Sequence, residues 1–183
     1  MKNLKRLINL TCLTIFFFLL LSQEESKAQV IKMSAEDLTK KSTAVLYGKC
    51  SKLKSEWNEN RRVIYTYVTI VPEEYIKGNL GSVAVITVPG GRVDDIIYEV
   101  SEMPVFTEGE EVVAFIWTNP RGKNLVTGGY QGKVKIEKDN QTGKRMVQAI
   151  TITEEAMVPG QARKAEKMQL EDFVVKLKGY MKN

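Results

Sequence analysis

Between Ala44 and Ile150 this chain never sustains a helical apolar period, and no other feature restricts its fold so much. Short runs of β-branched and aromatic residues follow one another instead, each cut by Gly, Pro, Asn or Asp after roughly 8 to 15 residues. Strands are expected at Ala44–Cys50, Val63–Ile70, Val83–Val88, Ile96–Val100, Val112–Trp117, Gly132–Lys138 and Arg145–Ile150. Gly48 predicts a bulge or bend, and Pro72 a strand edge or end. Residues 57–62 read as a polar loop. Ile64, Val68 and Ile70 fall on one face of their strand, and Tyr65, Tyr67 and Thr69 on the other. Val134 and Ile136 are expected inward, with Lys133, Lys135 and Glu137 outward. Ser34 before Glu36 and Asp37 predicts a helix over Ala35–Lys41. Leu170, Phe173, Val174, Leu177 and Tyr180 recur at helical spacing. The pattern is that of a mainly β protein, a small barrel or sandwich covered by two flanking helices. The segment from Thr153 to Lys167 reads either as an ordered excursion or as a tether for the last helix.

Ahead of this lies a leader. Lys2, Lys5 and Arg6 precede an apolar run from Leu7 to Leu21, and Ser26-Lys27-Ala28 has the small-x-small form of a cleavage site. The run is shorter than the roughly 18 to 20 apolar residues of a membrane anchor. The expectation is a signal peptide over 1–28 and a single secreted or periplasmic domain over 29–183, touching membrane only during export. Of 27 basic and 22 acidic residues in the chain, Lys2, Lys5, Arg6, Lys27, Glu24 and Glu25 leave with the leader, so the remainder is 23 against 20. That mild balance gives no argument for nucleic acid as a partner. The charge is uneven, however. Residues 93–111 carry seven acids and no base, whereas residues 49–62 and 121–145 lean basic; folding is expected to set these segments side by side. Cys50 is the one cysteine outside the leader. It allows no intrachain disulfide and reads as a small buried strand residue.

Several chemistries lack their residues. The chain has no histidine, which removes Ser–His and Cys–His catalysis and every histidine metal site. Val88-Pro89-Gly90-Gly91-Arg92 resembles a phosphate loop, but no helix pattern opens behind it, so it reads as a turn. Adjacent Asp94 and Asp95 on a strand would point to opposite faces and cannot flank one bond. No motif selects a Ser–Lys dyad. A non-enzyme without cofactor or metal is expected. What remains is the aromatic set Trp57, Tyr65 and Tyr67, which on a barrel of the OB type would form a platform. Together with Arg92, Asp94 and Asp95 these residues make up the candidate binding surface.

The order of elements carries a resemblance. A short helix leads into Thr43-Ala44-Val45-Leu46-Tyr47-Gly48-Lys49, then a polar loop, then Tyr65-Thr66-Tyr67-Val68-Thr69-Ile70-Val71, ending in Glu74-Tyr75-Ile76-Lys77-Gly78. From Leu38 to Trp117 this resembles the netrin-like module, the OB-fold domain of tissue inhibitors of metalloproteinases. It is also similar to exported bacterial proteins with glycines matching Gly90-Gly91 and Gly109-Glu110. The resemblance implies an OB-like antiparallel barrel and a protein partner in the envelope or medium, an exported peptidase being the most specific version. The chain departs from the family in having no disulfides, and its expected first residue, Gln29, is not the zinc-chelating cysteine of those inhibitors. A structural role in envelope or matrix assembly and an enzyme with an unrecognised site are the alternatives.

Overall fold

The computed structural model describes residues 32–149 and 166–182; the leader and most of the segment from Thr153 to Lys167 lie outside them. Helix α1, Ala35–Lys41, starts where its cap dictates. Asp37 N–H donates to Ser34 Oγ at 3.0 Å and Ser34 N–H donates to Asp37 Oδ2 at 3.1 Å, which satisfies two otherwise orphaned donors. Those bonds hold the Asp37 carboxyl below its ordinary range.

Ten strands follow, most of them in one antiparallel sheet: β1 Ala44–Trp57, β2 Ile64–Lys77, β3 Ala84–Pro89, β4 Gly91–Val93, β5 Ile96–Tyr98, β6 Glu111–Thr118, β7 Asn124–Val126, β8 Lys133–Lys138, β9 Arg145–Ala149 and β10 Glu166–Gln169. The main sheet runs β10-β9-β8-β6-β1-β2-β3, with β7 also paired to β6, and β4 pairs with β5 as a separate hairpin. The sheet curls into an antiparallel half-barrel. Its two ends approach where Asn124 Nδ2 on β7 donates to Val85 O on β3 at 3.1 Å. Strands β6, β1, β2, β3 and β7 thus enclose one core, in the manner of a small, partly open OB-like barrel.

That inner core holds Ala44, Leu46, Cys50, Val68, Ile70, Ile86, Val88, Val112, Ala114 and Ile116. A second core lies on the outer side of β1 and β6. There Val45, Tyr47, Val113 and Phe115 meet Val134, Ile136 and Val147 from β8 and β9, beneath helix α2, Leu170–Gly179. The expected helical stripe supplies Leu170, Phe173, Val174 and Leu177 to it, and Tyr180 packs at its margin. Strands covered on both sides show no polar alternation, which is why Val112 to Ile116 is buried without interruption. Lys178 Nζ binds Glu74 Oε1 on β2 at 2.6 Å, and Arg145 binds Glu73 at 2.7 Å while standing 5.4 Å from the Tyr47 ring. Among the described residues no helix is long and apolar enough to cross a membrane.

Several expectations need correction. Strand β1 does not stop at Cys50 but continues to Trp57, so Trp57 is a strand residue paired with Ile64 and not part of a loop. Strand β2 runs through Pro72 to Lys77. Pro72 is tolerated because β3 pairs only as far as Ile70, which leaves this part of β2 a sheet edge. It lies opposite Gly48 at an irregularity in the ladder, where any Cβ on Gly48 would collide with the Val71 carbonyl. Further along β1, Cys50 pairs with Ile70 and Lys52 with Thr69, so Ser51 is an extra, bulged residue. Its hydroxyl donates to Thr69 O at 3.2 Å. Strands β4 and β7 were not anticipated, and Lys167 belongs to β10. Lys133 does not point to solvent, as described below.

Candidate functional site

Cross-strand partners share a face, and this divides the aromatic set. Trp57 sits with Ile64 and Ser55 with Thr66 on the inner side of the β1–β2 hairpin, whereas Tyr65 sits with Glu56, and Tyr67 with Lys54, on the outer side. The expected three-ring platform does not form. Two surfaces on opposite sides of the same strands take its place.

The inner surface is a cavity of about 840 Å³ at the mouth of the half-barrel. Leu53, Val68 and Val88 form its floor, Met103 and Phe106 one wall, and the β4–β5 hairpin its roof. The hairpin can cross β1 and β2 so closely because of Gly91. At its φ of 140° a side chain would be strained, and a Cβ would collide with the hydroxyls of Thr66 and Ser55. Thr66 Oγ1 donates to Gly90 O at 2.7 Å, and Gly90 N–H donates to Ile64 O at 2.9 Å. Asp94 and Asp95 form the two-residue turn between the paired Val93 and Ile96, with Asp94 in the left-handed region at φ 53°. They stand at the hairpin tip. Arg92 faces the cavity beside its partner Ile97, its Nε donating to Asp94 O at 3.0 Å.

Apolar side chains crowd the rim. Ile96 is 53% exposed, Ile97 61% and Val105 82%. The Val105 segment is nevertheless held firmly. Lys133 Nζ donates to Val105 O at 2.5 Å, pairs with Glu110 Oε1 at 2.7 Å and stands 4.7 Å from the Phe106 ring centroid. Thr107 N–H donates to the same Glu110 oxygen at 2.7 Å. Both charges are nearly enclosed, Lys133 at 14% and Glu110 at 9% side-chain exposure. This pair is where the acidic and basic segments meet, as expected, though as a largely buried bridge and not as a solvated seam. Period-two reasoning places Lys135 and Glu137 outward correctly, but at the start of β8 the Val105–Phe106 segment and Glu110 cover Lys133. Cys50 lies fully buried just beneath, its N–H donating to Glu110 O at 2.8 Å. Burial first, and then the nearby Glu110, push its thiol pKa up to about 11, so it is a packed thiol and not a nucleophile.

The outer surface is aromatic and basic. Tyr65 and Tyr67 lie half-buried along β2. Lys123 Nζ stands 5.6 Å from the Tyr65 ring centroid, within cation–π range. Two loops border this ring, and each is folded around an asparagine. In the β1–β2 loop, Asn58 Oδ1 accepts from Arg62 N–H at 2.8 Å and Val63 N–H at 3.1 Å. In the β6–β7 loop, Asn119 Oδ1 accepts from Arg121 N–H and Lys123 N–H, both at 2.9 Å. Arg61, Arg62, Arg121 and Lys123 are all exposed, and among the described residues none makes an ion pair. The basic lean of residues 49–62 and 121–145 is the sequence signal for this face.

Among the described residues no group of three or more His, Cys, Asp or Glu is arranged to hold a metal ion. Fold and surfaces together define a small antiparallel half-barrel with a cavity at its mouth and a charged face on its flank. Comparison with known proteins returned no match to the chain, whether among protein-family models, curated proteins or solved structures.

Proposed function

We propose that this chain is an exported, non-catalytic binding module that seats a protein partner over the cavity beneath the β4–β5 hairpin. The observation that carries the reading is the rigid exposure of apolar side chains around a preformed hollow. Val105 projects into solvent from a segment clamped by Lys133, and the exposed Ile97 of the docked hairpin lines the same cavity. Exposed apolar groups gathered at one place mark interaction surfaces, and cavities of this size at barrel mouths are ordinary ligand sites. A metallopeptidase inhibitor or companion is the most specific form, in line with the netrin-like order of elements. Inhibition would then run through the hairpin and not through an amino-terminal wedge.

The test is quantitative co-purification from the envelope and medium of producing cells, comparing wild type with the Ile97→Asp/Val105→Asp variant. A partner held by wild type and released by the variant supports the reading. Identical sets of captured proteins from both would overturn it. Titration into a panel of exported metallopeptidases addresses the specific form, which predicts inhibition at near-stoichiometric ratio. A second reading, assembly with copies of itself, is favoured by the edges of β5 and β10, each paired on one side only among the described residues. Concentration-dependent light scattering separates it from the first.

A further inference from the structure

We infer that the outer face of β2, between the β1–β2 and β6–β7 loops, is a second binding site, and that it takes an acidic polysaccharide bearing carboxylate or sulfate groups. This goes beyond the cavity reading and does not depend on it. Lys123 reaches over the half-buried Tyr65 ring from the β6–β7 loop, which also carries the exposed Arg121, and the exposed Arg61 and Arg62 sit in the β1–β2 loop that leads directly into Tyr65. Lys52 and Lys54 continue the basic character along β1, and Glu56 and Glu59 are the acids placed near them; Glu56 is already paired with Lys54. A surface held together by mutual neutralisation would pair these cations with acids, and it leaves the four loop cations unpaired. Because Asn58 and Asn119 fix the loop backbones, placing the charges costs little ordering when a ligand arrives.

The groups left free on the tyrosines select the ligand class. Single-stranded nucleic acid is held by stacking bases on exposed ring faces. Here both rings are half-buried, and Lys123 Nζ already stands over that of Tyr65, 5.6 Å from its centroid. Neither Tyr65 nor Tyr67 hydroxyl has a hydrogen-bond partner among the described residues. Phenol hydroxyls suit sugar hydroxyls, and guanidinium groups suit carboxylate or sulfate in bidentate fashion.

The experiment measures binding of the purified protein to size-defined oligogalacturonate, a sulfated dextran, neutral dextran and oligo(dT). Oligogalacturonate or the sulfated dextran should bind and neutral dextran should not, with affinity falling steeply as salt rises from about 50 to about 200 mM. Arg61→Ala/Arg62→Ala and Arg121→Ala/Lys123→Ala should each weaken binding by about tenfold or more, the scale of losing one or two charge-assisted bonds. Tyr65→Phe/Tyr67→Phe, which keeps the rings and the fold, should weaken it severalfold without changing the salt dependence. Circular dichroism of every variant verifies that the fold is retained. No binding to either acidic glycan, equal affinity in the loop variants, or tighter binding to oligo(dT) than to the glycans would each overturn the proposal.

Discussion

The two sides of the β1–β2–β3 sheet are made from alternate residues of the same strands, yet they were built by different physics. On the inner side, Leu53, Val68 and Val88 make an apolar hollow, and the acidic segment 93–111 lines it from Ile97 to Phe106. Its order comes from a nearly enclosed ion pair and a docked hairpin. On the outer side, Tyr65, Tyr67 and four unpaired cations lie open to water, and their order comes from two asparagine-folded loops. Long-range contacts hold the first; local hydrogen bonds hold the second. Damage should therefore spread from the cavity into the fold, and should stay local on the basic face.

The largest expected effect follows from Lys133→Met. It strands Glu110 in a site of 9% exposure, and breaking such a pair costs about 3 kcal/mol or more. Denaturant unfolding measures it, and a loss under about 0.5 kcal/mol would mean the pair is no better than a surface bridge. Gly91→Val comes next, at about 2 kcal/mol, from a side chain forced into a strained φ and into Thr66. Hydrogen exchange should rise over residues 90–99 while β6 stays protected; uniform loss of protection would show that the hairpin is integral to the barrel. The paired loop variants Arg61→Ala/Arg62→Ala and Arg121→Ala/Lys123→Ala should change stability by less than about 0.5 kcal/mol. A larger drop in thermal midpoint would break the contrast between the two sides.

The smallest effect belongs to the outer core, which serves neither surface. The hydrogen bond from Lys178, aided by Tyr47, holds the Glu74 carboxyl below its usual range. A depressed carboxyl pKa adds stability above the ordinary carboxylate range, and that gain fades as pH falls through it. Acidification toward about pH 3 should therefore loosen α2 by a few tenths of a kcal/mol, the discount reflecting solvent exposure. Lys178→Ala should remove most of that dependence, read by exchange at Phe173 and Leu177.

Elements whose cause is local were legible in advance. The Ser34–Asp37 cap placed α1, and the spacing of Leu170, Phe173, Val174 and Leu177 placed α2. The centres of the long strands were legible from β-branched runs, but their extents were not. Lys-Leu-Lys-Ser-Glu-Trp alternates correctly, but a serine occupies an inward position; the strand was expected to end at Cys50 and the loop to begin at Trp57. Trp57 was thereby grouped with tyrosines that lie across the sheet from it. The basic face was half legible: residues 49–62 and 121–145 stand out as basic in the sequence, but that Lys123 of the second stretch reaches Tyr65 beside the first is set by the barrel.

Ser51 has a consequence out of proportion to its size. Before it, even-numbered residues of β1 look into the barrel; after it, odd-numbered ones do. The bulge acts on the strand as a frameshift acts on a message, inverting the meaning of every later position. Were Ser51 drawn into the regular ladder, Lys54 and Glu56 would turn toward the hydrocarbon interior while Leu53 turned out to water; with the residue deleted, Lys52 would follow Cys50 and every later position would keep its face. The constraint at this point is therefore on how the ladder is stepped and not on the serine's chemistry: a β1 shorter by this residue keeps both surfaces, whereas a β1 in which every residue pairs would exchange them.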